Sequence, residues 1–386
     1  MEIMGTELRP YGINCVNRGE NGEPKTAIIG DKIRAIISAN AKKRATRLSD
    51  IFGQMLEDQG IRTKFLPKEV SRQVLAKLNS EDNEELRNKI VEILIGLGVT
   101  DKKKAPTEEE LKKAKTPQVF LFCQPELDWI VQYFTEWIQE NGIEQAIKAK
   151  QKDFLADMVE KFRGVDIPVS LAIALFGRFD TTEIFQNVPA AISQGFSFSI
   201  QGLDVFQNYW NTGDDWAGLD ESAANAFAMS DTQGMSSGIY YNHFKIDVDQ
   251  LLENVGGDAS KAIAGVRAFL EAFCFSNPEG MKNSALTTPL PSFWLLEYKE
   301  NGTLYTHDST FFKALPAQGD IAKIGAEMIV KKAQETWEKS KRIKPDTALL
   351  MCSDINETSE AITKMKSFDE VNDGIVERLK ASLEKE

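Results

Sequence analysis

Residues 32–49, "KIRAIISANAKKRATRLS", change character halfway along. From Lys32 to Ser38 polar and apolar residues alternate as in a strand, and from Ala39 the pattern predicts a helix reaching about Leu56. The stretch holds six Lys or Arg and no Asp or Glu, within a 386-residue chain of formal net charge −12. Lys42, Lys43, Arg44 and Arg47 fall in the first turns of that helix, where the macrodipole is positive. A cation there costs about 0.3–1 kcal/mol unless an anion supplies the counter-charge. Ser38 and Asn40 add short polar side chains beside free N–H groups that suit a phosphate. Lys43 and Arg47 are four apart and share a face, while Arg18, Lys25, Lys32 and Arg34 arrive from the preceding loop and strand. Two explanations stand at this point: an anion site, or a solvated charge run balanced by acidic helices elsewhere.

The rest of the chain mixes periods. "MEIMGTEL" reads as a first strand, and residues 61–161 as a helical block. In that block Leu86, Ile90, Ile93, Leu94 and Leu97 follow one helical face, as do Leu127, Ile130, Val131, Phe134, Trp137 and Ile138, and Thr107 with Glu110 suggests a capping box. From about Val169 "VSLAIALFGRF" and "GFSFSI" read as strands, the second with Phe196 and Phe198 on one face. Leu203 to Met235 shows no clear period, yet carries Phe206, Tyr209, Trp210 and Trp216. Those aromatics suit either base stacking or the core of a small subdomain. "SSGIYYNHFKI", "SFWLLEY" and "TALLMCS" read as strands among helices at about Val248–Asn254, Ala259–Ala272 and Asp320–Glu338. Ser367 with Glu370 opens a C-terminal helix. Strands and helices that mix without strict alternation indicate an α+β fold.

Composition narrows the function. With 42% hydrophobic, 27% charged and 9% aromatic residues, a globular protein of two or three substructures is expected, and no apolar run approaches the roughly 18 residues of a membrane span. Cys15, Cys123, Cys274 and Cys352 are widely spaced, without a CxxC pair, and are expected to be buried thiols. His243 and His307 are the only histidines and are expected to be structural; no catalytic triad, metal set or cofactor motif is visible. The N-terminus has neither the basic nor the apolar region of a secretory signal, so a cytoplasmic protein without a membrane partner is expected.

Several strings together resemble one family. They are Asn17-Arg18, "GENGEPK" ending in Lys25, Gly30, Arg34, "ISAN" followed by Lys43-Arg44 and Arg47, "ALFGRF", "LDVFQNYW", "TQGMSSGIYYNHF" and "LLENVGG". In order and rough spacing they resemble the CasC family, the guide-RNA backbone subunit of the type I-E CRISPR complex Cascade. The resemblance implies a hand-shaped α+β protein with a ferredoxin-like, RRM-like palm (residues 1–57 and 166–366) and a helical fingers insertion (58–165). It further implies a thumb at about 200–235 and a C-terminal helix over 367–386. It also implies a filament of copies along the crRNA, other Cascade subunits and target DNA as partners, and no catalytic residue. Carried over by position, Arg18, Lys25, Arg34, Ser38, Asn40, Lys43, Arg44 and Arg47 hold RNA phosphates. Phe179, beside Arg178, is the palm's apolar contact where the RNA kinks, Val205 and Phe206 are the thumb's wedge, and Lys148, Lys150 and Lys152 face target DNA. The sequence departs from the family at Asp31, where a Gly is usual, at Ile36, and at Val205, which is usually aromatic.

Two rivals remain at this stage. Asp31 could serve a metal-dependent RNase, although Mg²⁺ chemistry normally needs several converging carboxylates. The acidic charge and amphipathic helices could also belong to an interaction protein that binds no nucleic acid.

Overall fold

The computed structural model describes residues 1–56, 58–98, 108–180, 184–213, 215, 227–355 and 360–385. The chain divides into two compact units: Met1–Met55 with Ile192–Asp249 and Ala262–Glu386, and Leu56–Ala191 with Gln250–Lys261.

The first unit is built on one mostly antiparallel sheet. Its strands are β1 (Glu2–Asn14), β2 (Thr26–Ile29), β3 (Lys32–Ile37), β6 (Ile192–Gln194), β7 (Ser197–Ser199), β8 (Val205–Gly213), β9 (Phe227–Asp247), β10 (Phe293–Lys299), β11 (Thr347–Cys352) and β12 (Thr363–Lys364). The order is β12-β11-β10-β1-β9-β7-β3-β2, with β6 and β8 also paired to β9. Both faces are covered, so β10 is buried at every position rather than at alternate ones. Phe293 and Leu295 join Leu8, Phe198, Tyr241 and Leu350 under helix α13 (Ile321–Trp337). Trp294 faces the other way, into a ring cluster with Phe244 on β9 and with Phe273 of α11 (Ala259–Phe275). There its indole donates to Asn372 of α14 (Phe368–Leu383) over 3.0 Å. Buried Glu297 accepts from Trp337 Nε1 at 3.0 Å and lies 2.8 Å from His307 Nε2. His307 is therefore a core residue, as expected, and all four cysteines are free and buried.

The predicted helix from Ala39 to Leu56 is two helices, α1 (Ala39–Arg47) and α2 (Asp50–Met55). Ser49 breaks it: its hydroxyl donates to Thr46 O and accepts from the Phe52 N–H, capping the second helix. Phe196 and Phe198 do not share a buried face. Phe196 precedes β7 and is exposed, while Phe198 lies in the core. The aperiodic stretch from Leu203 is a hairpin, β8 paired with β9 from Val205↔Ser236 outward. Trp216 lies outside the described residues. The final cap is nearly the expected box. Ser367 Oγ accepts from the Glu370 N–H, but Glu370 reaches back to the N–H of Lys366 rather than that of Ser367.

The second unit packs α3 (Leu66–Lys77), α4 (Glu84–Ile95), α5 (Glu108–Lys113), α6 (Gln124–Asn141), α7 (Ile143–Lys148) and α8 (Gln151–Arg163), with strands β4 (Ile61–Thr63) and β5 (Phe120–Phe122) paired beside them. Leu86, Ile90, Ile130, Phe134 and Met158 meet in its core. Thr107 of the expected capping box lies outside the described residues. "VSLAIALFGRF" is not a strand; Leu171–Phe176 form helix α9. A six-residue apolar run whose four middle residues are all buried fits either period, and here Ser170 caps the Ile173 N–H. Gly177 ends the helix at φ 76°, with Ala190 so close that a Cβ would meet it at 2.9 Å. The unit continues past 165, the expected end of the insertion. Arg178 pairs with Glu126 of α6 at 2.8 Å, and Asn254, at the end of α10 (Val248–Asn254), donates to the carbonyls of Ala174 and Pro189. Among the described residues no helix is long and apolar enough to cross a membrane.

Candidate nucleic-acid interface

The loop between β1 and β2 folds back on the start of α1 through one residue. Asn17 Oδ1 accepts from the Ser38 N–H at 2.9 Å, and Asn17 O accepts from the Lys25 N–H at 2.8 Å. Lys25 O in turn accepts from the Ile36 N–H. Arg18 and Lys25, both exposed, thus flank a loop held to the N-terminus of α1 by the Asn17 side chain and to β3 by the Lys25 carbonyl. Ser38 is the N-cap, its hydroxyl accepting from the Ala41 N–H at 3.3 Å.

Helical geometry then sorts the basic run. Asn40, Lys43, Arg44 and Arg47 recur at three- and four-residue spacing; Asn40 and Arg44 are exposed, and Lys43 and Arg47 partly so. Lys43 Nζ approaches Ile192 O at 3.5 Å, and partial burial lowers its pKa. Lys42 and Thr46 point the other way and are buried. Lys42 Nζ donates to Phe273 O and Ser276 O, lies 3.6 Å from Glu7 and sits over the Phe273 ring. Glu7 also pairs with Arg9 at 2.8 Å, and both side chains are fully buried. This charged knot under α1 was missed in the sequence. The spacing of Lys42 and Thr46 opposite the outward residues is the one signal that pointed to it.

Two expected RNA contacts, Arg34 at a phosphate and Arg178 beside the kink, are corrected. Arg34 is fully buried; its guanidinium donates to Ser199 O at 2.8 Å and Phe311 O at 3.0 Å and cannot reach a ligand. It braces the β2–β3 hairpin, whose Gly30 takes φ 61° and packs where a Cβ would stand 1.6 Å from Phe312 O. Arg178 is equally committed, to Glu126 and to the carbonyls of Gln186 and Leu121 within the second unit. Asp31, the proposed metal ligand, accepts from the Ala314 N–H at 2.9 Å, and that bond above all holds its pKa down. Among the described residues no group of three or more His, Cys, Asp or Glu could hold a metal ion.

The remaining candidates are surface residues. Val205 is half-buried at the root of the β8–β9 hairpin, and Phe206, Tyr209 and Trp210 are exposed. Among the described residues no small core encloses those three aromatics. In the second unit Phe179 is 85% exposed, and Lys148, Lys150 and Lys152 are exposed around the start of α8.

The fold has known counterparts. The chain is similar, at 18% identity and TM-score 0.77, to a chain of a solved "CRISPR RNA-guided surveillance complex, pre-nicking", over 98% of this chain and 100% of the other. A chain of another "CRISPR RNA-guided surveillance complex" is 16% identical with TM-score 0.67, over the same shares. No curated protein matches. The model of one protein family, described as CT1975-like protein, matches residues 7–374, and with nearly the whole chain inside that match the protein belongs to the CT1975-like family.

Proposed function

We propose that this protein is a non-catalytic, crRNA-binding backbone subunit of a CRISPR surveillance complex, of Cascade type I-E, working in the cytoplasm. The observation that carries the reading is that Arg18, Lys25, Ser38, Asn40, Lys43, Arg44 and Arg47 lie along α1 and the loop docked on its N-terminus, although Arg44 and Arg47 fall in the last turn of this nine-residue helix rather than in the first turns expected. That assembly supplies cations, hydroxyl and amide groups and a positive helix end, all suited to phosphates and 2′-hydroxyls. A guide holder has to be blind to sequence, gripping the backbone and leaving base edges free to pair with target DNA. The solved relatives' description as RNA-guided complexes supports the same reading.

Phe206 and Phe179 are the apolar groups that would meet unstacked bases, and Lys148, Lys150 and Lys152 would face target DNA. Four neutralised phosphates per chain correspond to a slope of about −3 in log K against log salt, so a single chain binds RNA weakly. Copies lined up along one guide, beside other Cascade subunits, then bind by avidity.

The test is the size and nucleic-acid content of the protein co-expressed with a guide RNA and its partners, beside Lys43→Glu/Arg44→Glu. The reading requires a large, ribonuclease-resistant RNA particle for the wild type and its loss in the variant. Identical RNA-free elution of both would refute it.

A further inference from the structure

The β8–β9 hairpin is tied to its unit at two levels. At the root Val205 pairs with Ser236, whose carbonyl accepts from Asn14 Nδ2 at 3.1 Å. Two and three residues further out, respectively, Gln207 Nε2 donates to Glu23 Oε1 at 3.4 Å and Gln233 Nε2 to Gly22 O at 2.7 Å. Gly234 lies opposite Gln207, and a Cβ built on it would stand 1.4 Å from Glu23 Oε2. No side chain fits there while the Glu23 carboxylate is in place. Among the described residues no other side-chain hydrogen bond or ion pair joins residues 206–213 or 229–235 to the rest of the unit.

Glu23 belongs to the same loop as Arg18 and Lys25. We propose that Glu23 and Gly234 form a positioning lock that sets the direction in which the hairpin leaves the phosphate-gripping loop, and so where along a bound RNA the hairpin meets it. The second half of this inference rests on the RNA-binding reading above. One anchor at a hairpin root leaves a pivot, whereas two anchors at different distances define a direction. The lock lies about 7 Å from the root and Gly213 about 27 Å, at roughly 3.3 Å per residue, so a displacement of about 1 Å at the lock becomes about 4 Å at Gly213. The lock also turns the one carboxylate between Arg18 and Lys25 that could repel a phosphate, apart from Glu20, onto an amide and a bare Cα.

The variants are Gly234→Ala, Glu23→Ala, the two combined, and Glu23→Gln. Gly234→Ala displaces only the far end of a flexible side chain, so the fold is kept. Glu23→Gln keeps an oxygen to accept from Gln207. Amide hydrogen exchange without RNA is expected to rise about tenfold across 205–213 and 229–235 in both single Ala variants, with β1 and β10 unchanged. The double variant should exceed neither, and Glu23→Gln should match wild type. In the assembled particle the spacing of chemically accessible guide bases should blur in the Ala variants. Unchanged hairpin exchange overturns the lock. Raised exchange with sharp, wild-type base spacing overturns its positioning role. A wild type without RNA overturns the RNA reading and that role together, while the exchange result still decides the lock.

Discussion

The Lys42 ammonium lies 3.6 Å from a Glu7 carboxylate oxygen beneath α1, while Arg44, two residues later, is exposed on the opposite side of the same helix. One basic run therefore serves two ends. Lys42→Ala removes a stem packed on the Phe273 ring and opens a cavity under α1, and a loss of about 2–4 kcal/mol in stability is expected. Arg44→Glu should change stability by less than about 0.5 kcal/mol but abolish RNA retention. Urea unfolding and the absorbance ratio of the purified particle, measured on both variants, check the division.

Lys42 also predicts a pH dependence. Burial first, then the charge of Arg9, lowers its pKa from 10.5 to about 7, with Glu7 opposing. Above that value the folded protein gives up the proton, while the unfolded chain keeps it until about 10.5. The unfolded state then binds more protons, so stability contributed by this group rises with pH across that interval. Lys42→Met keeps the apolar stem without the charge. Its urea midpoint should lack the part of the rise that the wild type shows between about pH 6.5 and 9.5; parallel curves would refute the assignment to Lys42.

Gly30 and Arg34 act together in the β2–β3 hairpin. Gly30→Ala forces a positive φ on a residue with a Cβ and drives that atom into Phe312 O, so a loss above about 2 kcal/mol is expected. Arg34→Ala leaves the carbonyls of Ser199 and Phe311 without their donor, at about 1–3 kcal/mol. Neither change should alter the salt dependence of RNA binding at a temperature where the variant is folded. A shallower slope in Arg34→Ala would return that residue to the phosphate contacts.

How much was legible depended on whether a residue's neighbours in sequence were also its neighbours in space. Helix α6 could be read because its apolar period is local, whereas β10, buried at every position, and β11 were read as strands from short apolar runs without a period. Leu171–Phe176 could not be read, since a short run whose four middle residues are all buried carries no period, and it is the Ser170 hydroxyl that caps the helix. The β8–β9 hairpin escaped because it is exposed on both faces, which removes the alternation that marks a half-buried strand. On α1, the outward placement of Lys43 and Arg44 was legible by spacing. Lys42 and Arg34 carry the same charge, but carbonyls of Phe273, Ser276 and Phe311, far away in the chain, draw them inward. Nothing near either residue announces those partners.

Asp31 separates a structural carboxylate from a catalytic one. Its bond to the Ala314 N–H and its approach to Arg34 at 3.6 Å give it a role in seating the hairpin. Asp31→Ala is expected to lower the melting temperature modestly and to leave guide RNA incubated with Mg²⁺ as intact as with the wild type. Regular cleavage of the guide by wild type, lost in the variant, would reinstate an RNase.

The salt dependence of RNA binding counts the phosphates directly. With Arg34 buried, the exposed cations around α1 include Arg18, Lys25, Lys32 and Arg44, and Lys43 is partly desolvated beside Ile192 O. Each phosphate contact contributes about −0.7 to the slope of log K against log salt for single-stranded RNA. Replacing Arg18, Lys25 or Arg44 singly by Gln should therefore make the slope shallower by about 0.7 and weaken binding equally for guides of unrelated sequence. Replacing Lys148 by Gln should leave the guide-RNA slope unchanged, since its place in this reading is toward target DNA. Filter binding of two unrelated single-stranded RNAs over a salt series measures both quantities at once. A preference between the two RNAs that one substitution removes would mean that the loop and α1 read bases, and that a sequence-blind guide holder is the wrong description.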